Sequence, residues 1–595
     1  MFSTLQQSHA RFARSSRRIN TILAVLGVWV LLGLVLEYGF HLPTGWVRVL
    51  ETLDLLILLL FVAAQIGKVL RSPDRREYIL EHRLEYALTI PLLAVLVLVP
   101  VAVWIFPDTV AELARQWHLR GLSSLLILLA QIVIVLSLFF GALRVSRRLT
   151  RMHIQPARLF IASFVLVIVL GALALLLPRA TTQGITGIDA LFTSASAVCV
   201  TGLITVDTPT AFTRLGQVII LLLIQIGGLG LMTFTTFFAL FSGRLSIKER
   251  VLMQDLLSRE NLGEIRRTLL QIVGVTLLIE AAGAVLLFVS WDDALFPSTG
   301  QRIFSSVFHS VSAFCNAGFS LFGDNLAGRA VAMNVQVNIT IAGLIVLGGL
   351  GFITIVNLAG ARPWARGSHR LHHRLTAQSR IVLASTGILI VAAATLFFAL
   401  EYHNTLAGLR WWEKIMAAVF QSITTRTAGF NTIDTGAIAV PSTLLFLFLM
   451  FIGASPGSTG GGIKTTTAAL LLLAGIHYIR GKKDIEIGHR TIPWSTVDRA
   501  SAVLFFSLVI LALSVFLVSM FEPFALIDIL FECVSAMGTV GLSRGITFAL
   551  ADTSKIILIF TMLIGRVGAL TLMMALTRRA PLSRVDYPTE QIMVG

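Results

Sequence analysis

Residues 453–467, GASPGSTGGGIKTTT, have the residue types of a phosphate-binding loop. Gly457 and Gly462 have the right separation, and a Lys followed by a Thr comes shortly after. A Walker-type loop needs the Lys directly after the second Gly, so that its ammonium can reach the phosphates. Here Ile463 intervenes before Lys464, and apolar runs flank the loop on both sides. A membrane-embedded nucleotide-using enzyme is therefore the least favoured interpretation of this stretch.

The composition excludes a soluble globular protein as the main interpretation. The 595 residues are 56% hydrophobic and only 13% charged, with a mean hydropathy of +0.85. Soluble domains carry about a quarter charged residues. Long apolar runs such as 125–143 and 388–400 have the length and character of membrane spans. Twelve such spans can be drawn, so the sequence predicts a polytopic membrane protein.

The net charge of +16 follows from the topology of these spans. When the N-terminus and every second loop are assigned to one side, that side collects most of the 47 Lys and Arg residues. Because basic loops stay in the cytoplasm, both termini are predicted to be cytoplasmic. The same charge attracts anionic membrane lipid, and it does not predict nucleic-acid binding.

A short Ser-rich segment followed by a glycine recurs four times in the loops assigned to the outside. The glycines lie 111 to 116 residues apart, which is typical of internal repeats; they are Gly202, Gly318, Gly429 and Gly541. Each segment is too short to cross the bilayer but can enter it as a half-helix. Extended backbone at membrane depth is tolerated where it lines a water-filled path, and glycine leaves its carbonyls free to face that path.

Rings of carbonyls on one axis can replace the hydration shell of a bare monovalent cation. The half-helices would point their negative ends at that cation. The alternative is that the small residues serve only helix packing in the membrane. Because four segments match in position, the pattern favours the cation path.

These patterns predict an all-α polytopic membrane protein with four pseudo-symmetric helix–pore-helix–helix repeats around a central pore. The predicted repeats occupy 158–242, 266–358, 380–478 and 499–577, and a C-terminal tail occupies 578–595. Residues 1–150 are predicted to form an accessory domain of four further transmembrane helices, laid out like a voltage sensor. Its fourth helix lacks Arg or Lys at every third position, so the sequence predicts no gating charges there.

The apolar stretch from Pro441 to Ile476 is too long for one span. As a single helix it would measure about 54 Å, against a hydrocarbon core of about 30 Å. Its break is predicted at 453–467, where Gly, Pro, Ser and Thr make a poor helix. The loop is therefore expected inside the membrane, in a water-filled path below the carbonyl rings.

Three charged residues fall within predicted spans, where an isolated charge is costly and by default functional. Lys464, at the inner end of the loop, either belongs to the path or extends to the membrane interface. Arg566 lies in mid-span and either lines the path or forms a structural salt bridge. Glu280 either pairs with Arg566 or hydrogen-bonds a neighbouring helix.

Further charges lie close to the glycine segments. Arg426, three residues before Gly429, is expected to brace its segment with a carboxylate partner, for which the candidates are Glu413, Asp434 and Glu532. Acidic residues of the outer loops either concentrate cations or are ordinary solvated charges; they include Asp207, Asp324 and Asp434.

Nine strings carry a family resemblance: VTGL (200–203), IGGLGLMTF (226–234), NAGFS (316–320), LGGLGFITI (347–355), TRTAGFNTID (425–434), GASPGSTGGGIKTTT (453–467), GTVGLS (538–543), GRVGALTL (565–572) and YPTEQIMVG (587–595). By these strings the chain from about residue 158 to 595 resembles the Trk/Ktr/HKT superfamily of potassium transporters, and most closely the Ktr membrane subunits. The resemblance extends over roughly three quarters of the chain.

The resemblance implies that the four glycine segments form a K+ selectivity filter. The implied filter residues are Val200, Thr201, Gly202, Asn316, Ala317, Gly318, Thr427, Ala428, Gly429, Thr539, Val540 and Gly541. A glycine at all four positions favours K+, since some plant relatives with Ser at the first position prefer Na+.

The resemblance also implies that the broken span is an intramembrane gate, which occludes the path until activation. The implied gate residues are Gly453, Ala454, Ser455, Pro456, Gly457, Ser458, Thr459, Gly460, Gly461, Gly462, Lys464 and Arg566. Arg566 would face the pore beside the loop, as a cation barrier or latch.

The implied activity is K+ uptake across the plasma (inner) membrane of a bacterium, and not enzymatic catalysis. The alternative is a Na+-selective or Na+/K+ symporting relative, so K+ and, in that case, Na+ are the transported ions, with no organic cofactor. The implied partners are a second copy of the chain, with the tail 578–595 at the dimer interface, and a cytosolic RCK-type regulatory ring of the Ktr kind. Since no nucleotide-binding domain is found in the sequence, that ring would supply nucleotide binding.

Overall fold

A computed structural model describes residues 19, 28–72, 156–241, 262–360, 375–482, 485–487 and 490–576. The chain divides into two compact units, Met1–His153 with Leu177–Arg179, and Ile154–Leu176 with Ala180–Gly595. In the first unit the described helices are α1 (Val28–Gly39) and α2 (Thr44–Arg71). The predicted third and fourth helices of the N-terminal domain and the predicted tail 578–595 lie outside the described residues.

The second unit is helical, apart from one small hairpin in the part that the structure describes. Its longer helices, in chain order, are α3 (Pro156–Leu175), α4 (Gly187–Val198), α5 (Arg214–Phe241), α6 (Leu262–Ser290), α7 (Thr299–Phe314), α8 (Val335–Leu350), α9 (Phe352–Gly360), α10 (Ala377–Glu401), α11 (Trp411–Thr424), α12 (Val440–Phe451), α13 (Thr465–Ile479), α14 (Trp494–Phe521), α15 (Leu526–Gly538), α16 (Asp552–Val567) and α17 (Ala569–Leu576). Strands β1 (Ile485–Ile487) and β2 (Arg490–Ile492) pair antiparallel between α13 and α14.

The helices follow the same order four times: a long outer helix, a short helix with a buried C-terminal half, and an inner helix. The short helices are α4, α7, α11 and α15, and each packs against the outer helix that precedes it. In three cases a serine hydroxyl of the short helix donates to a backbone carbonyl of that outer helix, at 2.6–2.8 Å: Ser194 to Ile168, Ser310 to Glu280, and Ser422 to Ile390. These bonds hold α4, α7 and α11 at a fixed depth against their outer helices.

Packing between successive segments forms a closed cycle. The inner helix of each segment lies against the short helix of the next: α5 against α7, α8 against α11, α12 against α15, and α16 against α4. The last of these contacts joins the fourth segment to the first. It contains a buried ion pair, Lys555 Nζ to Asp189 Oδ1 at 2.8 Å.

Three of the four inner helices are interrupted. Helices α8 and α9 meet at a 99° bend, with Gly351 at φ +83° between them. Gly568, at φ +90°, separates α16 from α17. In the third segment α12 ends at Phe451 and α13 begins at Thr465, so residues 453–464 are not helical. The first inner helix, α5, continues to Phe241 without a break.

Several helices have the length and apolar character of membrane spans. Within the described residues, three are long and apolar enough to cross a membrane alone: α10, α14 and the part of α6 over Leu270–Ser290. The bent pair α8 and α9 makes a fourth if it forms one span. Further apolar helices are shorter, including the two halves of the broken third inner helix, α12 and α13. These features describe a multi-pass helical membrane protein. The number of twelve spans stays a prediction.

Candidate functional site

The four glycine segments share one unusual backbone conformation. Gly202, Gly318, Gly429 and Gly541 all have positive φ, between +69° and +93°. The residue two positions before each glycine also has positive φ, between +50° and +78°; these residues are Val200, Asn316, Thr427 and Thr539. Such φ values are rare for residues other than glycine, and rarest for β-branched ones. Three of these four residues are β-branched, and backbone strain of this kind is concentrated at functional sites.

The four glycines lie against one another in a closed ring. A Cβ atom on Gly202 would collide with the carbonyl of Ala317, and one on Gly318 would lie 2.6 Å from the carbonyl of Ala428. A Cβ on Gly429 would meet the carbonyl of Val540, and one on Gly541 the carbonyl of Thr201. Each glycine thus faces the carbonyl that precedes the next glycine. No side chain fits at any of the four positions without displacing backbone.

A hydroxyl at the end of each short helix supports the segment that follows it. The Oγ atoms of Ser196 and Ser535 accept from the backbone N–H groups of Gly202 and Gly541, at 3.0 and 3.1 Å. In the other two segments the hydroxyls of Ser312 and Thr424 donate to the carbonyls of Phe319 and Phe430, at 2.8 and 2.6 Å. Since all four hydroxyls are buried, these bonds both satisfy them and fix the turns.

The loop between α12 and α13 lies directly against two of these segments. The backbone N–H of Gly461 donates to the Thr539 hydroxyl at 3.0 Å. A Cβ on Gly460 would collide with the Thr427 hydroxyl, so the backbone of Gly460 lies directly against that side chain. Because Thr427 and Thr539 stand two residues before their glycines, the loop covers that end of the ring.

The same loop is bound to the neighbouring inner helices. Ser455 and Thr459 donate their backbone N–H groups to Gly349 and Gly348 of α8, at 3.0 and 3.2 Å. The Thr459 hydroxyl donates to the carbonyl of Phe314, at the end of α7, at 3.1 Å. Phe352, just after the bend at Gly351, donates its N–H to Gly457 at 3.0 Å. The bend in the second inner helix is therefore part of the support of the loop.

Two cationic side chains hold consecutive carbonyls of the loop. Lys464 Nζ donates to the carbonyl of Gly460 at 2.7 Å. Arg566, which is 2% exposed, donates through Nη1 to the carbonyl of Thr459 and through Nη2 to the carbonyl of Gly227 on α5. Within the described residues no carboxylate forms an ion pair with either cation. Arg566 thus ties the loop to the one unbroken inner helix.

The alternatives left open for Glu280 are resolved by its contacts. Its Oε2 accepts from Gln225 Nε2 of α5 at 3.2 Å, and its Oε1 accepts from the Cys315 thiol at 3.7 Å. It therefore hydrogen-bonds neighbouring helices and does not pair with Arg566.

The expectation of a carboxylate partner for Arg426 is wrong. Its buried guanidinium donates to the hydroxyl of Thr386 on the outer helix α10, at 3.4 Å. The proposed carboxylates are engaged elsewhere: Glu413 with the N–H of Arg410, Asp434 with the N–H of Gly436, and Glu532 with Ser543 and Thr547. The donors to Glu413 and Asp434 lie within three residues in the chain, and those to Glu532 lie 11 and 15 residues further along.

The outer acidic residues serve their own loops. The Asp207 carboxylate accepts from the Thr210 hydroxyl at 2.7 Å, and Asp434 accepts from the N–H of Gly436 at 2.8 Å. Asp324 lies beside Gly328 of the same loop. These contacts agree with the interpretation as solvated loop charges.

Comparison with known proteins gives a consistent result over most of the chain. The family model described as "TrkH: Cation transport protein" matches residues 129–583. The chain is 38% identical over 441 residues to the Ktr system potassium uptake protein B of Vibrio alginolyticus, covering 74% of this chain and 94% of that protein. It is 39% identical over 445 residues to the protein of the same name from Bacillus subtilis, covering 74% and 97%. The named relatives are transport proteins and not enzymes, as predicted.

Two further similarities widen the comparison. The Potassium/sodium uptake protein NtpJ of Enterococcus hirae is 35% identical over 463 residues, which cover 76% of this chain and 100% of that protein. The crystal structure of the potassium transporter TrkH from Vibrio parahaemolyticus has a TM-score of 0.58 at 18% identity, and the match covers 84% of this chain and 97% of that one. That structure supports the fold. The motifs of the sequence predicted this relationship correctly, and the chain belongs to the TrkH family of cation transport proteins.

Proposed function

We propose that this protein takes up K+ across the inner membrane of a bacterium through a filter formed by the four glycine segments. The observation that carries the proposal is the ring in which each glycine faces the carbonyl of the next segment. Such a ring presents backbone oxygens from four sides, which is the arrangement that can replace the hydration shell of a monovalent cation. The names of the relatives identify K+ as the ion that they take up.

The proposed filter comprises the three residues that end at each glycine, from Val200–Gly202 to Thr539–Gly541. Positive φ at alternate positions turns successive carbonyls of each segment in a way that an ordinary strand does not. The C-terminal ends of α4, α7, α11 and α15 precede these turns, and their negative dipole ends favour a cation near them. Together these features make the ring a binding site for cations and a barrier to anions.

The proposed gate is the loop between α12 and α13 with Lys464 and Arg566. The loop covers the Thr427 and Thr539 end of the ring, and it is held there by α8, α16 and Arg566. Two positive side chains at that place oppose the passage of a cation. Both cationic side chains bind backbone carbonyls and not carboxylates. The loop can therefore move away without leaving a buried carboxylate that has lost its cation. Opening therefore means release of these carbonyls and movement of the loop out of the path.

We further propose that the protein works as a homodimer with a cytosolic regulatory ring. The two named uptake proteins belong to a Ktr system, which supports a separate regulatory subunit. An RCK-type ring that binds nucleotide would contact the cytoplasmic side, where both termini are predicted to lie. The tail 578–595 would then lie at the interface between the two copies.

A Na+-linked activity is the second candidate. The name of Potassium/sodium uptake protein NtpJ, which matches over its whole length, includes both ions. Glycine at all four ring positions favours K+ as the main ion, by resemblance to the family. Na+ would then enter as a coupled or competing ion.

Complementation of a K+-uptake-deficient bacterium tests the proposal. Cells that express this chain together with a Ktr-type cytosolic subunit should grow at limiting K+, and growth is compared with and without Na+. Growth that needs Na+ supports the symport candidate, and growth without it supports K+ uptake alone. If the chain is present in the membrane and growth is not rescued, K+ uptake is not its function.

A further inference from the structure

We propose that Asn325 is a positioning residue that sets the preference of the ring for K+ over Na+. The inference rests on the proposed filter, which it refines at one position. Asn325 belongs to the loop after the second glycine segment and lies outside the residues that form the ring. Its side-chain Nδ2 donates to the carbonyl of Gly318 at 3.3 Å and to the carbonyl of Gly429 at 3.5 Å. One amide thereby joins two adjacent segments of the ring.

The backbone around Asn325 is built to hold this amide in place. Asn325 itself has φ +60°, a conformation that asparagine adopts more readily than most residues. Its backbone carbonyl accepts from the hydroxyl of Ser320 at 3.0 Å. The Ser320 hydroxyl lies 3.0 Å from Nε2 of His309, a fully buried side chain of α7. Next to it, Leu326 donates its N–H to the carbonyl of Asn431 in the following segment, at 3.2 Å.

The arrangement breaks the symmetry of the ring. Seven residues after the other three glycines stand Pro209, Gly436 and Phe548, and none of these side chains can donate a hydrogen bond. Only the carbonyls of Gly318 and Gly429 therefore receive an amide donor from this position. Within the part of the chain that the structure describes, no side chain donates a hydrogen bond to the carbonyls of Gly202 and Gly541.

A donor beside two of the four carbonyls changes which ion the ring prefers. The positive end of the N–H dipole lowers the negative potential that these oxygens present, and the bonds fix how far they can move inward. Selectivity between K+ and Na+ depends on the field strength of the oxygens and on the size of the cavity. A weaker field and a ring that cannot contract both act against Na+, which needs closer and stronger ligands to compensate for its hydration. Asn325 thus favours K+.

The test compares Asn325→Gly with a matched control, Asn334→Gly. Glycine accepts φ +60° without strain, so Asn325→Gly removes the amide and keeps the backbone. Asn334 is the N-cap of α8, a position that tolerates glycine well, and its amide donates to the carbonyl of Ser290 and not to the ring. K+ uptake by the full chain with its cytosolic subunit is measured against K+ concentration, with Na+ as competitor. We expect the Na+ concentration for half-inhibition, relative to the KM for K+, to fall about fivefold in Asn325→Gly and to stay unchanged in Asn334→Gly.

Ser320→Ala provides a second variant that leaves Asn325 present. It should shift the same ratio in the same direction but less, because it loosens the turn that presents the amide. In the double variant Ser320→Ala/Asn325→Gly, the serine substitution should cause no further shift of the ratio, since both substitutions act through the Asn325 amide. A loss of folding alone would lower the amount of protein in the membrane and leave the ratio unchanged.

The outcomes separate this inference from the proposed function. A wild-type chain that takes up no K+ overturns the proposed function, and the inference with it. Wild-type K+ uptake with the same Na+ ratio in Asn325→Gly and Asn334→Gly overturns the inference alone. An additive effect of Ser320→Ala in the double variant also overturns it, because the serine would then act independently of the amide.

Discussion

At the scale of single residues, the ring depends on the absence of side chains at four places and on strain at four others. Glycine could be predicted from the repeat, because four glycines recur at a nearly constant interval. The positive φ values at Val200, Thr427 and Thr539 could not, since β-branched residues ordinarily disfavour that conformation. The strain is sustained by contacts from distant parts of the chain, such as the bond from Gly461 to Thr539.

Gly429→Ala is expected to abolish most K+ uptake. The residue has φ +75°, and its new methyl group would meet the carbonyl of Val540. The left-handed conformation alone costs an alanine about 1–2 kcal/mol, and relief of this strain displaces the ring. We therefore expect K+ uptake to fall about tenfold or more. Gly475→Ala in α13 is the matched control, since nothing lies within 4 Å of its added Cβ. Uptake is measured at equal membrane abundance, and normal uptake by Gly429→Ala would remove this glycine from the filter.

Arg566→Gln is expected to raise K+ uptake when the cytosolic subunit is absent. The guanidinium holds the carbonyls of Thr459 and Gly227, and the bonds of a charged donor are worth about 1.5–3 kcal/mol. Losing one such interaction shifts the population of the open loop by about tenfold or more. Exposed Arg329→Gln removes a charge outside the site and serves as the control. Unchanged basal uptake in Arg566→Gln would show that the arginine does not hold the gate closed.

At the scale of secondary structure, the breaks in the inner helices were only partly predictable. The break between α12 and α13 follows from a stretch too long for the bilayer and rich in Gly, Ser and Thr. The breaks at Gly351 and Gly568 each rest on one glycine in an apolar run, which in most helices merely weakens the helix. What fixes the bend at Gly351 is the loop itself, because the next N–H bonds Gly457. Such a long-range cause leaves no local signal.

Gly351→Ala is expected to destabilise the folded protein. The glycine has φ +83°, and an added Cβ would lie 2.5 Å from the carbonyl of Pro456. For a chain of 595 residues, a penalty of about 1–2 kcal/mol corresponds to a fall in melting temperature of about 1–2 °C. Gly343→Ala, on the same helix α8, has nothing within 4 Å of the new Cβ and should leave the melting temperature equal or higher. Equal melting of the two purified variants would contradict the role of the bend.

At the scale of the whole molecule, the four segments close into a cycle. Their order along the chain does not by itself require this closure. The repeat predicts four similar units, but a repeat of this kind is compatible with an open row as well as with a ring. Closure is visible in the packing of α16 on α4 and in the contact of Gly541 with the carbonyl of Thr201. Asp189 and Lys555, which are 366 positions apart, could not be paired from sequence, since each is an ordinary charge near a helix start.

Lys555→Met tests how far this closure stabilises the protein. The ammonium lies 2.8 Å from Asp189 Oδ1, and both side chains are 11% exposed. Its removal leaves a carboxylate with little access to water, so the free energy of unfolding should fall by about 3 kcal/mol. The double variant Asp189→Asn/Lys555→Met removes both charges and should recover much of that loss. Lys482→Met breaks the exposed pair with Glu486, 3.6 Å apart, and should cost almost nothing.

The measurement is the melting temperature of the purified full chain, in K+ and in a large organic cation that cannot enter the ring. Because a bound ion stabilises only the folded ring, the shift produced by K+ should be smaller in Lys555→Met than in Lys482→Met. This difference separates loss of ring closure from a general loss of stability. A general loss would lower the melting temperature by the same amount in K+ and in the organic cation. If Lys555→Met and the double variant lose equal stability, the cost lies in the lysine's other contacts, among them Asp552 at 3.5 Å, and the ion pair does not close the ring.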